Sequence, residues 1–183
     1  MNLPNGLTIL RIVLAILLMP VALHPGFVYK CLALVIFLAA SLTDYWDGRL
    51  ARKNKQVTDF GILMDPVADK MLVLSAFIAF AWIKLVPVWT VSVVIVRDMV
   101  VTGRRLFMKP GRAQSARASG KNKTVFQFSF IVGILMLLIV REMTFWNASW
   151  NLAADRVIYA VMLGVVAMTL WSGVRYIAAS RSK

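Results

Sequence analysis

The chain alternates long apolar runs with short basic segments. Each apolar run is near the roughly 20 residues that a helix needs to cross about 30 Å of hydrocarbon. The predicted spans are Leu7–Leu23, Phe27–Tyr45, Ile62–Trp82, Val86–Phe107, Thr124–Val140 and Ala154–Ile177. The first run contains Arg11 and lacks a convincing cleavage site, so we interpret it as a retained helix. The pattern predicts an all-α polytopic membrane protein with six transmembrane helices, in one domain over residues 1–183.

The composition favours the same class. Of the 183 residues, 60% are hydrophobic and only 16% are charged, and the mean hydropathy is +0.76. Such a chain has too little polar surface to cover a water-soluble globule of this size.

Positive charges are concentrated in alternate loops and in the C-terminal tail. These residues are Arg49, Arg52, Lys53, Lys55, Arg104, Arg105, Lys109, Arg112, Arg117, Lys121, Lys123, Arg181 and Lys183. Because cytoplasmic loops keep Lys and Arg, both termini are predicted to face the cytoplasm from the inner membrane. This bias, with attraction to anionic membrane lipids, explains the net charge of +13. A nucleic-acid partner is therefore not expected.

The acidic residues are clustered. Five of the eight lie in one 26-residue window: Asp44, Asp47, Asp59, Asp65 and Asp69. Four of them follow the pattern D-x2-D-G-x2-A-R-x8-G-x3-D-x3-D. In helices, spacings of three and four residues place each pair on one face. We expect the first pair to end the second helix and the second pair to begin the third, joined by a basic loop over Gly48–Phe60. The four carboxylates would then meet at the cytoplasmic edge of the bilayer.

Such a cluster needs a compensating cation, because nearby like charges disfavour ionisation of one another. Oxygen ligands choose hard ions such as Mg²⁺, Mn²⁺ or Ca²⁺, and two such ions suit displacement at phosphorus. Gly48 and Gly61 allow close approach of a ligand, Ala51 keeps the groove open, and Arg52 can hold a phosphate through its forked guanidinium. The window therefore predicts a phosphate-binding metal site.

This aspartate motif resembles that of the CDP-alcohol phosphotransferases, and the chain matches it at every fixed position. The resemblance implies a homodimeric six-helix enzyme whose aspartates Asp44, Asp47, Asp65 and Asp69 hold two divalent cations, Mg²⁺ or Mn²⁺. It implies that Asp69 also acts as the catalytic base. The start of the chain is similar to the P-N-x-L-T-x-x-R segment of the family. The residues that the resemblance implies for CDP-lipid binding are Asn5, Thr8, Gly48, Ala51, Arg52, Thr58 and Gly61.

The stretch Leu63–Val73 resembles the branch of the family that transfers a phosphatidyl group from CDP-diacylglycerol to glycerol 3-phosphate, and the related cardiolipin-forming branch. Arg97, Arg105 and the GKNKT of Gly120–Thr124 resemble further positions of the first branch, with Asp98 where that pattern has Glu. The resemblance therefore implies CDP-diacylglycerol and glycerol 3-phosphate as substrates and CMP as a product.

The acceptor side is also supported by the residues themselves. Arg97 lies inside an apolar span, where an unpaired cation is costly, so it should meet an acid or an anion. Arg105 follows about 12 Å along the same helix, and Lys121 and Lys123 are basic residues of the next loop. Together these four residues are predicted to bind the phosphate of the acceptor. A structural pair of Arg97 with Asp98 or Asp44 is the alternative.

Three other functions remain open. A cardiolipin synthase of the same family would use phosphatidylglycerol as acceptor. A cation transporter would use the aspartates as an ion site, although transporter sites usually lie near the midplane between repeated halves. A scaffold for acidic lipids would not require spaced aspartates.

Overall fold

The computed structural model describes residues 3–54, 59–107, 117–143, 147 and 149–181. Within these residues the chain is all-α. The helices are α1 (Leu3–Leu23), α2 (Phe27–Asn54), α3 (Asp59–Trp82), α4 (Val88–Phe107), α5 (Arg117–Arg141) and α6 (Trp150–Arg181). Each predicted span corresponds to its own helix, except that the fourth span begins at Val86, two residues before α4. The predicted number and order of helices are thus confirmed for the described part of the chain.

The predicted basic loop over Gly48–Phe60 is wrong in its extent. Helix α2 continues to Asn54 and α3 begins at Asp59, while residues 55–58 lie outside the described part. Asp44 and Asp47 therefore lie within α2 rather than at its end. The cause is local, because Arg, Leu, Ala and Lys in this stretch are strong helix formers, and a single glycine costs only about 1 kcal/mol in a helix.

The chain divides into two compact units. The first unit consists of Met1–Ile83 and Ile131–Trp146, and the second consists of Lys84–Phe130 and Asn147–Lys183. In the first unit α1 packs against both α2 and α3, and α2 also touches α3. In the second unit α4 packs against α6.

One face of α1 is buried from Thr8 to Ala22. The buried residues follow one another at steps of three or four: Thr8, Arg11, Ala15, Leu18 and Ala22. This is the spacing of one helix face. Small residues recur on the facing helices, including Ala33 and Ala40 of α2 and Ala68, Ala76 and Ala79 of α3. Small side chains let helices approach closely, which is how helices associate in a bilayer.

The turn between α1 and α2 is fixed by backbone and side-chain contacts. Gly26 has a φ of 106°, a conformation that L side chains rarely adopt. The buried Lys30 donates from Nζ to the carbonyl oxygens of Ala22 at 2.7 Å and His24 at 2.9 Å. It therefore caps the C-terminal end of α1, where backbone carbonyls lack helical partners.

The ends of the second-unit helices are also defined locally. At the start of α4, the carbonyl of Pro87 accepts bonds from the backbone N–H and the hydroxyl of Thr90. Before α6, the side-chain oxygen of Asn147 accepts the N–H of Ser149 at 3.1 Å. Asn is a favoured residue at such helix starts because its side chain satisfies exposed N–H groups.

Two helices of the described part are long and apolar enough to cross a membrane, judged by length and composition. The segments are Gly6–Leu23 in α1 and Trp150–Arg175 in α6. Phe27–Thr43 and Val125–Arg141 are apolar but shorter. The hydrophobic helices expected of a membrane protein are therefore present.

Candidate active site

The four motif aspartates lie on two helices that touch each other. Asp44 and Asp47 belong to α2, and Asp65 and Asp69 belong to α3. Because both segments are helical, the spacings of three and four residues place the members of each pair within one turn. The side chains of Asp44, Asp47 and Asp65 lie outside the described part, so the convergence of all four carboxylates stays a prediction.

Asp69 is the motif aspartate whose side chain is described. Its Oδ1 atom accepts a hydrogen bond from Nη1 of Arg11 at 3.0 Å. The same two atoms form a salt bridge in which the arginine side chain is fully buried and that of Asp69 is 40% exposed. The bond joins α1 to α3 across 58 positions of sequence. Asp69 is thus held by a buried cation while part of its carboxylate side chain remains accessible.

The position of Arg11 follows from the packing of α1. It lies on the buried face of that helix, between Thr8, which is 1% exposed, and Ala15. Asn5 and Thr8 were predicted to contact the CDP-lipid. Thr8 lies on this buried face, one turn before Arg11, and the side chain of Asn5 lies outside the described part. The N-terminal helix therefore brings the family-like P-N-x-L-T-x-x-R segment beside the third helix.

The other residues predicted to bind the CDP-lipid are spread over the two aspartate helices. Gly48, Ala51 and Arg52 lie in α2, and Gly61 lies in α3. Their side-chain positions and the whole of Thr58 lie outside the described part. Their place in the site stays a prediction.

Among the described side chains, no group of three or more His, Cys, Asp or Glu residues is placed to hold a metal ion. Three of the four predicted ligands are not in that set. The chemistry of the donors nevertheless fits Mg²⁺ or Mn²⁺, because all four are carboxylates and both ions prefer oxygen ligands.

In the second unit, Arg97 of α4 is held in a polar cluster. Its Nη1 donates to Oδ1 of Asp98 at 2.9 Å, and its Nη2 donates to the hydroxyl of Ser172 in α6 at 2.6 Å. The side chains of Arg97 and Asp98 are only 14% and 8% exposed. The expectation that Arg97 meets an acid or an anion is confirmed: its partner is Asp98, one of the two acids named for the alternative structural pair. Its predicted role in binding the acceptor phosphate stays a prediction.

Gly173 lies against the stem of this arginine. A Cβ atom at position 173 would lie 3.4 Å from Cγ and 3.5 Å from Nε of Arg97. The two residues also line a groove of about 460 Å³ with apolar neighbours, among them Val96, Val100 and Leu170. The arginine stem thus packs closely against α6.

The remaining residues predicted to bind the acceptor also belong to the second unit. Arg105 lies near the end of α4, and Lys121 and Lys123 lie in the first turns of α5. Their side chains lie outside the described part, so a shared phosphate pocket stays a prediction. The two lysines were expected in a loop and are helical instead.

Two partners in these clusters were missed from sequence. Arg11 was recognised only as part of a motif, and no local pattern pairs it with Asp69. Ser172 lies 75 positions from Arg97. An available signal was the presence of Arg11 in an apolar helix, since a buried guanidinium needs an acid or another acceptor.

Comparisons with known proteins agree on one family. The family model described as CDP-alcohol phosphatidyltransferase matches residues 1–171. The chain is 37% identical over 148 residues to a Bacillus subtilis (strain 168) protein named CDP-diacylglycerol--glycerol-3-phosphate 3-phosphatidyltransferase, covering 74% of this chain and 77% of that protein. A Yersinia pestis (strain Pestoides F) protein of the same name is 34% identical over 180 residues, covering 82% of this chain and 96% of the relative.

Proposed function

The chain belongs to the CDP-alcohol phosphatidyltransferase family, and on that premise we propose that it catalyses the phosphatidylglycerophosphate synthase reaction. It is an enzyme of the phosphatidyltransferase class, as the aspartate motif predicts. In the proposed reaction a phosphatidyl group moves from CDP-diacylglycerol to glycerol 3-phosphate, and CMP is released. The observation that carries the proposal is the accessible Asp69 carboxylate, held by Arg11 on one of two touching helices that contain the whole aspartate motif.

The proposed setting is the inner membrane. We place all six helices across the bilayer, with both termini and the aspartates at the cytoplasmic face, because Lys and Arg concentrate between alternate pairs of predicted spans. The lipid donor then stays in the bilayer while the acceptor arrives from water. A homodimer is part of the proposal through the family resemblance.

The proposed metal site is formed by Asp44, Asp47, Asp65 and Asp69 around two divalent cations, Mg²⁺ or Mn²⁺. When bound, such ions would offset the negative charge that develops on the attacking and leaving oxygens of the phosphoryl group. The support for this assignment is the all-carboxylate donor set on two touching helices.

The chain's own residues would act on the acceptor and the donor. Asp69 accepts the proton of the glycerol hydroxyl, whose oxygen attacks the phosphorus that carries the diacylglycerol. A new P–O bond forms to glycerol 3-phosphate, the P–O bond to CMP breaks, and CMP leaves with the bonding electrons. Arg52 is proposed to hold a phosphate of the donor through its fork of N–H groups.

The acceptor phosphate is assigned to Arg97, Arg105, Lys121 and Lys123. Arg97 already bonds Asp98 and Ser172, so Arg105 is the residue of this set on which we base the test. An arginine can bind a phosphate through two parallel charge-assisted hydrogen bonds, which gives direction as well as charge.

The reaction is tested with purified protein in detergent, supplied with CDP-diacylglycerol and Mg²⁺ or Mn²⁺. Glycerol 3-phosphate, phosphatidylglycerol, serine and inositol phosphate are offered separately, and CMP release is measured. Of the four acceptors, we expect only glycerol 3-phosphate to cause CMP release. No CMP should be released after chelation of the divalent cations. Release only with phosphatidylglycerol would identify the cardiolipin-forming alternative, and metal binding without any turnover would favour a transporter.

The acceptor assignment is tested with Arg105→Ala. We expect the KM for glycerol 3-phosphate to rise by at least about tenfold, because a charge-assisted pair of hydrogen bonds is lost. The KM for CDP-diacylglycerol should stay within about threefold. Lys109→Ala, which removes an equal charge outside the assigned set, is the control. Equal damage to both substrates would refute the assignment.

A further inference from the structure

Arg11 is buried in a way that an ordinary structural ion pair does not require. Its side chain is fully enclosed, whereas its partner Asp69 is 40% exposed. Burying a guanidinium costs several kcal/mol, and an apolar residue of similar volume often stabilises a core as well or better. This difference in exposure indicates that the buried Arg11 acts on the accessible carboxylate of Asp69.

The contact with α1 restrains Asp69. The bond from Nη1 engages Oδ1, and the preceding residue Ala68 is fully buried in the packed face of α3. Backbone and carboxylate are thus both fixed, while the exposed part of the side chain can meet a substrate hydroxyl. A displacement of about 1 Å can cost on the order of 10²-fold in rate.

Arginine suits this task better than the alternatives. Its guanidinium presents only N–H donors and no acceptor atom, so it does not compete with Asp69 for the substrate proton. The rigid, planar guanidinium also directs its Nη1 bond to Oδ1 of Asp69, whereas a lysine acts as a point charge on a flexible stem.

We propose that Arg11 is a positioning residue that orients the Asp69 carboxylate to accept the proton of the attacking hydroxyl. This inference rests on the proposed function, because it takes Asp69 as the base. It assigns to α1 a part in the transfer step that acts through Asp69, in addition to its packing against α2 and α3.

The test uses full-length protein in detergent and the variants Arg11→Met, Arg11→Lys, Asp69→Asn and the double variant Arg11→Met/Asp69→Asn. Arg11→Met should lower kcat by about ten- to a hundredfold, with both KM values within about threefold. Arg11→Lys should recover part of the loss. Since the arginine acts through Asp69, adding Arg11→Met to Asp69→Asn should cause no further loss in kcat.

Two measurements separate positioning from folding or ion binding. Mn²⁺ affinity of Arg11→Met, measured without turnover by electron paramagnetic resonance, should stay within about threefold of the parent value. Leu18→Ala loosens the same buried face of α1 and is the matched control. Assayed well below its unfolding temperature, it should keep kcat within about threefold.

Several outcomes overturn the inference. An unchanged kcat in Arg11→Met refutes it. It is also refuted if the loss of kcat in the double variant equals the product of the losses in the two single variants. Collapse of Mn²⁺ affinity would make Arg11 a part of the ion site instead. If the parent protein releases no CMP with any acceptor, the proposed function itself fails. If the parent is active and Arg11→Met has the same kcat, only the role of Arg11 is refuted.

Discussion

The hydrogen bonds from Lys30 to the C-terminal end of α1 allow a quantitative test of what stabilises the first unit. Lys30 is 6% exposed, and its Nζ donates to the carbonyl oxygens of Ala22 at 2.7 Å and His24 at 2.9 Å. The perturbation is Lys30→Met, which keeps an unbranched apolar side chain of similar length up to the Cε atom but removes the ammonium donors. Both carbonyls then lose a partner at a helix end.

The expected cost follows from the two bonds. A hydrogen bond to a charged group contributes about 1.5–3 kcal/mol. The bond to Ala22 is buried and the bond to His24 is partly buried, so we assign about 2 kcal/mol to the first and about 1 kcal/mol to the second. For a chain of this size, a loss of about 3 kcal/mol lowers Tm by about 6–12 °C.

The assay is thermal unfolding in detergent, followed by circular dichroism at one fixed scan rate. Ser92→Ala is the control, because the Ser92 hydroxyl also bonds a backbone carbonyl, that of Val88 at 3.0 Å, but at an exposed position. It should change Tm by less than about 2 °C, since exposed bonds of this kind contribute little. A Lys30→Met shift as small as that of Ser92→Ala would refute the capping argument.

Two further substitutions test local geometry by the same unfolding measurement. Gly26→Ala should lower the free energy of unfolding by about 1–2 kcal/mol, because an L side chain is strained at the φ of 106°. No clash adds to this, since the atom nearest to the new Cβ is Tyr29 Cδ2 at 3.9 Å. An unchanged Tm would contradict the prediction. Gly173→Val should lower the free energy of unfolding by about 1–3 kcal/mol, because the larger side chain would push Arg97 away from Ser172. Gly173→Ala should leave Tm nearly unchanged. Equal effects of the two substitutions would contradict the packing argument.

The sequence by itself determined the helices and the family. Hydrophobic run length and the spacing of the aspartates are local properties, and helices are built from local hydrogen bonds. Each predicted span therefore corresponds to one helix, with only Val86 and Pro87 falling before α4. The motif identified the family because its fixed positions can be read directly along the chain. The sequence also indicated that Arg97 needs an acid, since that follows from the cost of a buried charge alone.

The prediction of a loop from Gly48 onward, based on glycine and charged residues, was wrong for the residues up to Asn54. Helix α2 runs through Gly48 to Asn54, because strong helix formers outweigh one glycine. The expected convergence of the aspartates does not depend on that loop. It depends on how α2 and α3 are rotated about their axes, which periodicity does not specify.

Only the tertiary structure decided which distant side chains meet. Arg11 reaches Asp69 across 58 positions, and Arg97 reaches Ser172 across 75. Such contacts depend on the rotation and axial register of packed helices, which are set by side-chain shape over the whole interface. A hydrophobicity pattern shows which face is buried, but not which residue of another helix lies opposite. For that reason the base candidate could be predicted from the sequence, and the arginine that holds it could not.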